Sequence, residues 1–186
     1  VFNAVKDMIN DYNELIEYTN NLVKEKRNRD YAPLTDEQKK EMSDDEIKAW
    51  EEKAKAGMLF GDSDVISLTN ELRFVFLNTR SDGLSFADIG ITVSDDWKEN
   101  GKIKLDETKL KAAIEERSED VKKLFTEETD KSSTSTSSSL TTGGVMARMK
   151  NVVEKYAATT GSNKGVFIEK AGHSKSPSSM LKNTLF

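Results

Sequence analysis

General-base chemistry in this chain would fall to one residue, His173, the only histidine among 186 residues. It lies in a polar stretch between Gly172 and Ser174, and no nucleophile-elbow sequence accompanies it. We read His173 as a solvated loop residue. A zinc site needs several His or Cys ligands at short spacings, and with one histidine and no cysteine the parts are missing. Asp95, Asp96, Glu99 and Asn100 offer oxygen ligands of the kind calcium takes, yet they lack the ligand spacing around a central glycine that an EF-hand requires. A charged turn between two strands accounts for them better. Gly143-Gly144 precedes a helical pattern but lacks the Lys-Ser/Thr pair of a phosphate-cradling loop. Trp50 and Trp97 are ring systems suited to stacking on a ligand, although Trp50 falls on the apolar stripe of its own helix and reads as core. The expectation is a protein without enzymatic activity, cofactor or metal.

Composition agrees with a contact protein. The chain is 35% hydrophobic and 33% charged with a net charge of −5, which suits elongated helices packed along narrow seams. Between Lys24 and Lys55 nine basic and ten acidic residues alternate, so that stretch nearly neutralises itself and presents no basic face for nucleic acid. No apolar run approaches the roughly 20 residues that cross a bilayer. The lack of cysteine suits an exported chain that travels unfolded without cross-linking.

The elements follow from periodicity. Val1, Val5, Met8, Tyr12, Leu15, Thr19 and Leu22 recur at alternating spacings of four and three, a heptad seam, and Phe2, Ile9, Ile16 and Val23 widen that stripe by one position. It suits a core helix of an antiparallel bundle, with an intermolecular coiled coil as the alternative. Val145, Met149, Val152 and Tyr156 repeat the pattern in a helix over 144–158, and we expect the two seams to pack in one bundle. Thr35 with Gln38 and Ser43 with Glu46 are capping boxes that start helices near Asp36 and Asp44. Gly57 supplies a left-handed stop after the second. A further helix follows Gly61-Asp62-Ser63. The period then switches to two over 89–93 and 102–105, predicting a hairpin. Asp106 and Ser118 cap two short helices. Ser and Thr fill 132–142 apart from Leu140, which predicts a flexible loop. Gly165–Ile168 reads as a short extended segment, and Ser176-Pro177 opens a last helix. The pattern is already helical at Val1 and a helix is starting before Phe186, so we expect a piece of a longer protein.

These pieces resemble a known family. Pro33-Leu34-Thr35-Asp36-Glu37-Gln38, continuing through Ala49-Trp50-Glu51-Glu52-Lys53-Ala54-Lys55-Ala56-Gly57 to Leu59 and Gly61-Asp62, is similar to the bacterial flagellar filament-capping family, also called hook-associated protein 2. Leu84–Thr92, Gly101–Asp106, Val121–Phe125 and Ala147-Arg148-Met149-Lys150 appear in the family's order. The motif residues are Trp50, Glu51, Lys53, Gly57, Gly61 and Asp62. The Ser/Thr tract and the bulky Phe74-Val75-Phe76 depart from the pattern.

The resemblance implies a mainly α, elongated helical bundle or coiled-coil stalk with a small β-hairpin. It implies a stalk segment over 1–125, a flexible loop over 126–143, and a second stalk helix over 144–186 with the start of a truncated one. The function it implies is an exported, extracellular cap at the flagellar tip that promotes flagellin polymerisation, with a possible role in adhesion. Its partners would be flagellin, hook-associated proteins and further copies in a ring, with no nucleic acid or membrane. A generic coiled-coil binding module or surface adhesin is the alternative. The isolated chain is expected to be monomeric or weakly associated. The seam residues offered for packing are Val5, Met8, Tyr12, Leu15, Leu22, Val145, Met149, Val152 and Tyr156.

Overall fold

The computed structural model describes residues 1–77, 84–96, 98–128, 143–160 and 164–171. His173, Trp97, the Ser/Thr tract and the helix expected at Ser176-Pro177 lie outside the described residues. Those described form α1 (Phe2–Lys24), α2 (Asp36–Lys40), α3 (Asp44–Lys55), α4 (Ser63–Leu77), β1 (Ile91–Val93), β2 (Ile103–Leu105), α5 (Glu107–Glu116), α6 (Ser118–Thr126), α7 (Val145–Ala157) and α8 (Val166–Ala171). The fold is mainly helical with one small antiparallel hairpin, whose register pairs Ile91 with Leu105 and Val93 with Ile103.

The organising helix is α4, which packs against α1 on one side and α7 on another. Its apolar Val65, Leu72, Val75 and Phe76 are all buried. An aromatic relay crosses the core from there. Tyr12 meets Phe76 edge-to-face at 4.9 Å, Phe76 meets Phe86 at 5.5 Å, and Phe86 meets Phe125 at 5.7 Å. These edge-to-face contacts place ring edges against ring faces, the favourable arrangement for aromatic quadrupoles. They tie α1, α4, the loop before β1 and α6 into one body.

Two expectations need correction. α4, rather than α7, takes the main packing of α1, and α7 packs chiefly on α4, α6 and α8. The buried row of α1 is Val5, Ile9, Tyr12, Ile16 and Thr19, which joins Val5, Tyr12 and Thr19 of the seam to Ile9 and Ile16 of the widened stripe and leaves out Met8, Leu15 and Leu22. The reason is that α1 has partners on two sides, α4 on one and β2 with α5 on the other. That centres its buried arc on the 9–16 row and leaves Met8 and Leu15 half-buried at the edge. Thr19 fits the buried row because its hydroxyl donates to the Leu15 and Ile16 carbonyls. The second correction is at 166–168, which is helical and not extended. Packing of Val166 and Phe167 onto the core, with Phe167 5.4 Å from the Tyr156 ring, overrides the β preference of this short run.

The hairpin is clamped to α1 by one side chain. The Asn13 amide nitrogen donates to the Ile103 carbonyl at 2.9 Å, and its oxygen accepts the Ile103 N–H at 2.7 Å. Asn13 thereby satisfies the outer edge of β2 as a neighbouring strand would. Tyr12 beside it donates to the Gly101 carbonyl at 3.1 Å, and burial pushes its phenol pKa up. Asn13→Ala should lower the unfolding free energy by about 1–2 kcal/mol, since two bonds of ordinary strength go and the β2 edge is left open. Urea unfolding read by circular dichroism checks this.

Both capping boxes form. Thr35 and Gln38 exchange bonds at the start of α2, and Ser43 and Glu46 do so at the start of α3. The backbone N–H of Ser43 holds the Glu46 carboxyl below the ordinary carboxylate range, and a hydrogen bond from Lys39 at 2.8 Å does the same for Glu51. A carboxyl lowered in the folded state binds protons less readily there than in the unfolded chain. Its contribution is therefore present above the ordinary Glu value of 4.5 and is lost as pH falls through the lowered value. Helix content should stay flat from neutral pH down to about 4.5 and decline below it, and a circular-dichroism titration measures this.

Candidate assembly surfaces

The motif residues build a tight turn instead of a reactive centre. Helix α3 buries none of its residues, so Trp50 is not core as its stripe suggested. Its indole N–H donates to the Ala32 carbonyl at 2.8 Å, and its ring meets Tyr31 edge-to-face at 4.7 Å. Lys53 reaches the same tyrosine, with its ammonium 3.1 Å from the hydroxyl and 4.8 Å from the ring centre. Glu51 pairs with Lys39. Trp50, Lys53 and Glu51 thus fold the α2–α3 hairpin onto the segment that leaves α1. Asp62 ends the motif as the cap of α4, accepting the backbone N–H groups of Asp64 and Val65 at 2.9 and 3.0 Å.

Between Gly57 and Asp62 the chain turns sharply at two glycines. Gly57 has φ +71°, and a Cβ there would lie 2.2 Å from the Arg27 backbone nitrogen. Gly61 has φ +66° and donates its N–H to the Val23 carbonyl at 3.0 Å. Only glycine takes the left-handed backbone at both positions without strain, and at Gly57 the close approach leaves no room for a side chain. Further bonds run from Phe60 N–H to the Gly57 carbonyl and from Asp62 N–H to the Leu59 carbonyl. The turn so braced pushes Met58 (73% exposed), Leu59 (39%) and Phe60 (57%) into solvent. Sequence reasoning missed this knob, although three large apolar residues between two glycines were there as a signal.

The seam residues fall into two sets. Val5, Tyr12, Val145, Val152 and Tyr156 are buried in the core. Met8, Leu15 and Met149 instead line an open apolar groove of about 560 Å³ that runs between α1 and α7. Met146 (53% exposed) and Val153 (46%) also line it. Leu22 is half-buried and borders a separate hollow of about 500 Å³ with Tyr18 and Asn21. Asp95, Asp96, Glu99 and Asn100 form the charged turn expected of them. Ser94 and Glu99 close it by a side-chain hydrogen bond, Lys98 N–H bonds to Asp96, and Lys104 lies 3.6 Å from Glu99. Among the described residues no cluster of His, Asp or Glu has the arrangement of a metal site, and no helix is long and apolar enough to cross a membrane.

The sequence model of one family, described as flagellar hook-associated protein 2 C-terminus, matches residues 1–183. The chain belongs to that family. A flagellar hook-associated protein 2 of Halalkalibacterium halodurans is 39% identical over 127 residues, which is 67% of this chain and 24% of that protein. The chain therefore spans about a quarter of the relative's length. No solved structure matches it. In this member of the hook-associated protein 2 family, the helical frame carries two separate apolar displays, the 58–60 knob and the α1–α7 groove.

Proposed function

We propose that this chain is the C-terminal part of a structural protein that works at the distal end of the bacterial flagellar filament, in an oligomeric cap that promotes flagellin polymerisation. On this reading it is exported, lies outside the cell, and contacts flagellin, hook-associated proteins and further copies of itself. The observation that carries the reading is the family match along residues 1–183. The geometry supports it, because polar helices packed about one core present braced apolar groups outward, as a chain built to touch other chains would. In such a part the work is done by binding and rearrangement, and no bond need be made or broken. The test is complementation of a motile bacterium lacking its own cap protein, using the intact protein that contains this chain. Restored filament growth and swimming are expected. Unchanged motility with the protein exported and intact overturns the reading.

A further inference from the structure

Between β1 and β2 the chain reverses at a left-handed turn over residues 99–102. Asn100 has φ +46° and Gly101 φ +95°, and the Lys102 N–H donates to the Glu99 carbonyl at 3.1 Å. Two central residues at positive φ with that closing bond make a type I′ turn, the one that Asn-Gly favours most strongly. Asn100-Gly101 is also the one Asn-Gly pair in the sequence. Such a pair has a chemistry of its own. The backbone nitrogen that follows an asparagine is placed to attack the side-chain amide carbon, and glycine hinders that attack least because it carries no Cβ.

The folded turn opposes the attack. Ring closure needs the Gly101 nitrogen on the same side of the Cα–C bond as the Asn100 Cβ. In a type I′ turn the first central residue has ψ of about +30°, which sends the next nitrogen nearly to the opposite side. Neighbouring helices hold the peptide in that position. The Tyr12 hydroxyl donates to the Gly101 carbonyl at 3.1 Å and the Asn20 amide to the Asn100 carbonyl at 3.5 Å, so α1 grips both carbonyls. From α4 the stem of Arg73 lies against buried Gly101, where an added Cβ would come 2.4 Å from the Arg73 Cγ. Swinging the Asn100–Gly101 peptide round to attack would draw the Asn100 carbonyl away from Asn20 and pull the turn apart.

We infer that Asn100 is a site of spontaneous deamidation, open in the unfolded chain and locked in the folded one. The Gly101 nitrogen bonds to the Asn100 Cγ and gives up its proton, the bond from Cγ to the side-chain nitrogen breaks, and that nitrogen leaves with the proton as ammonia. Water then adds to either carbonyl of the five-membered imide and opens it to aspartate or isoaspartate. No oxidant or reductant takes part. Isoaspartate is the damaging product, since it adds a methylene to the main chain of a turn with only two central residues. The Lys102–Glu99 and Tyr12–Gly101 bonds then cannot both be kept. A chain aged at Asn100 before folding should seat its hairpin poorly on α1, whereas one that folds promptly is protected. This chemistry is independent of the proposed function and is read on purified protein.

The test uses the intact protein that contains this chain, incubated at mildly alkaline pH either folded or unfolded in guanidinium chloride. Peptide mapping by mass spectrometry follows the conversion of amide to acid, and chromatography separates isoaspartyl from aspartyl peptides. Among the asparagines of residues 1–186, Asn100 should convert fastest in the unfolded chain. In the folded protein it should convert at least about tenfold more slowly, because attack waits on local opening of the turn. Tyr12→Phe keeps a ring in the core but releases the Gly101 carbonyl, so Asn100 in the folded variant should convert several-fold faster than in the parent. Asn20→Ala should act in the same direction and serves if Tyr12→Phe impairs folding. Equal rates in the folded and unfolded protein overturn the proposal. So does another asparagine converting first in the unfolded chain, and so do folded variants that both keep the parent's rate.

Discussion

Leu72→Ala should lower the unfolding free energy by about 2–5 kcal/mol, the range for emptying a leucine site in a packed core. Leu72 is fully buried on α4, the helix that contacts both α1 and α7. Truncation there removes transfer energy and leaves a void bounded by helices that are anchored elsewhere and collapse little. Since a domain of this kind has only about 5–15 kcal/mol in hand, the variant should unfold at much lower denaturant concentration, with the slope of the transition unchanged. Ile66→Ala, on the exposed face of the same helix, is the control and should move the midpoint little. Equal losses from the two would mean that α4 is not the shared wall of the bundle.

Arg148→Met should raise stability, by about 1–3 kcal/mol. Arg148 lies on the inner face of α7 and is 2% exposed. Among the described residues its Nε and one terminal nitrogen have no hydrogen-bond partner, and desolvation pulls its pKa below the ordinary arginine value. Donors buried without acceptors each cost a desolvation penalty of about 1–3 kcal/mol, and an apolar side chain of similar length removes it without opening a cavity. Arg148→Ala separates the two effects, since it also removes the charge but leaves a void, and should be less stable than Arg148→Met. Thermal unfolding of the three proteins at one pH decides the order. A methionine variant less stable than the parent would mean that the remaining guanidinium nitrogen anchors the helix strongly enough to outweigh its neighbours.

Much of the frame was legible in the sequence because it is encoded locally. Ser43 and Glu46 begin a helix by bonding each other's backbone, and Asp106 accepts from Thr108 and Lys109 as an isolated cap signal predicts. The hairpin at 91–105 followed from a change of period. What was not legible depends on neighbours distant in sequence. The row 5-9-12-16-19 and the row 1-5-8-12-15-19-22 both alternate spacings of four and three, so α1 alone does not say which is buried. The choice belongs to α4, β2 and α5. Trp50 read as core for the same reason, since an apolar stripe records what a helix is able to bury and not what lies beside it. Asn13 carried no motif, as its role exists only once β2 arrives. The knob escaped notice because pattern reading takes a run of apolar residues as buried, whereas two glycines turned this one outward.

The α2–α3 hairpin, fastened by Trp50, Lys53 and the Gly57 turn, contributes nothing to the shared interior. Opening it would therefore uncover none of the core, like a latch on a closed case. Its amides should exchange with solvent through local opening long before those of α4. Because the knob grows from the root of that latch, the hairpin's attachment also governs how steadily the knob is offered to whatever receives it.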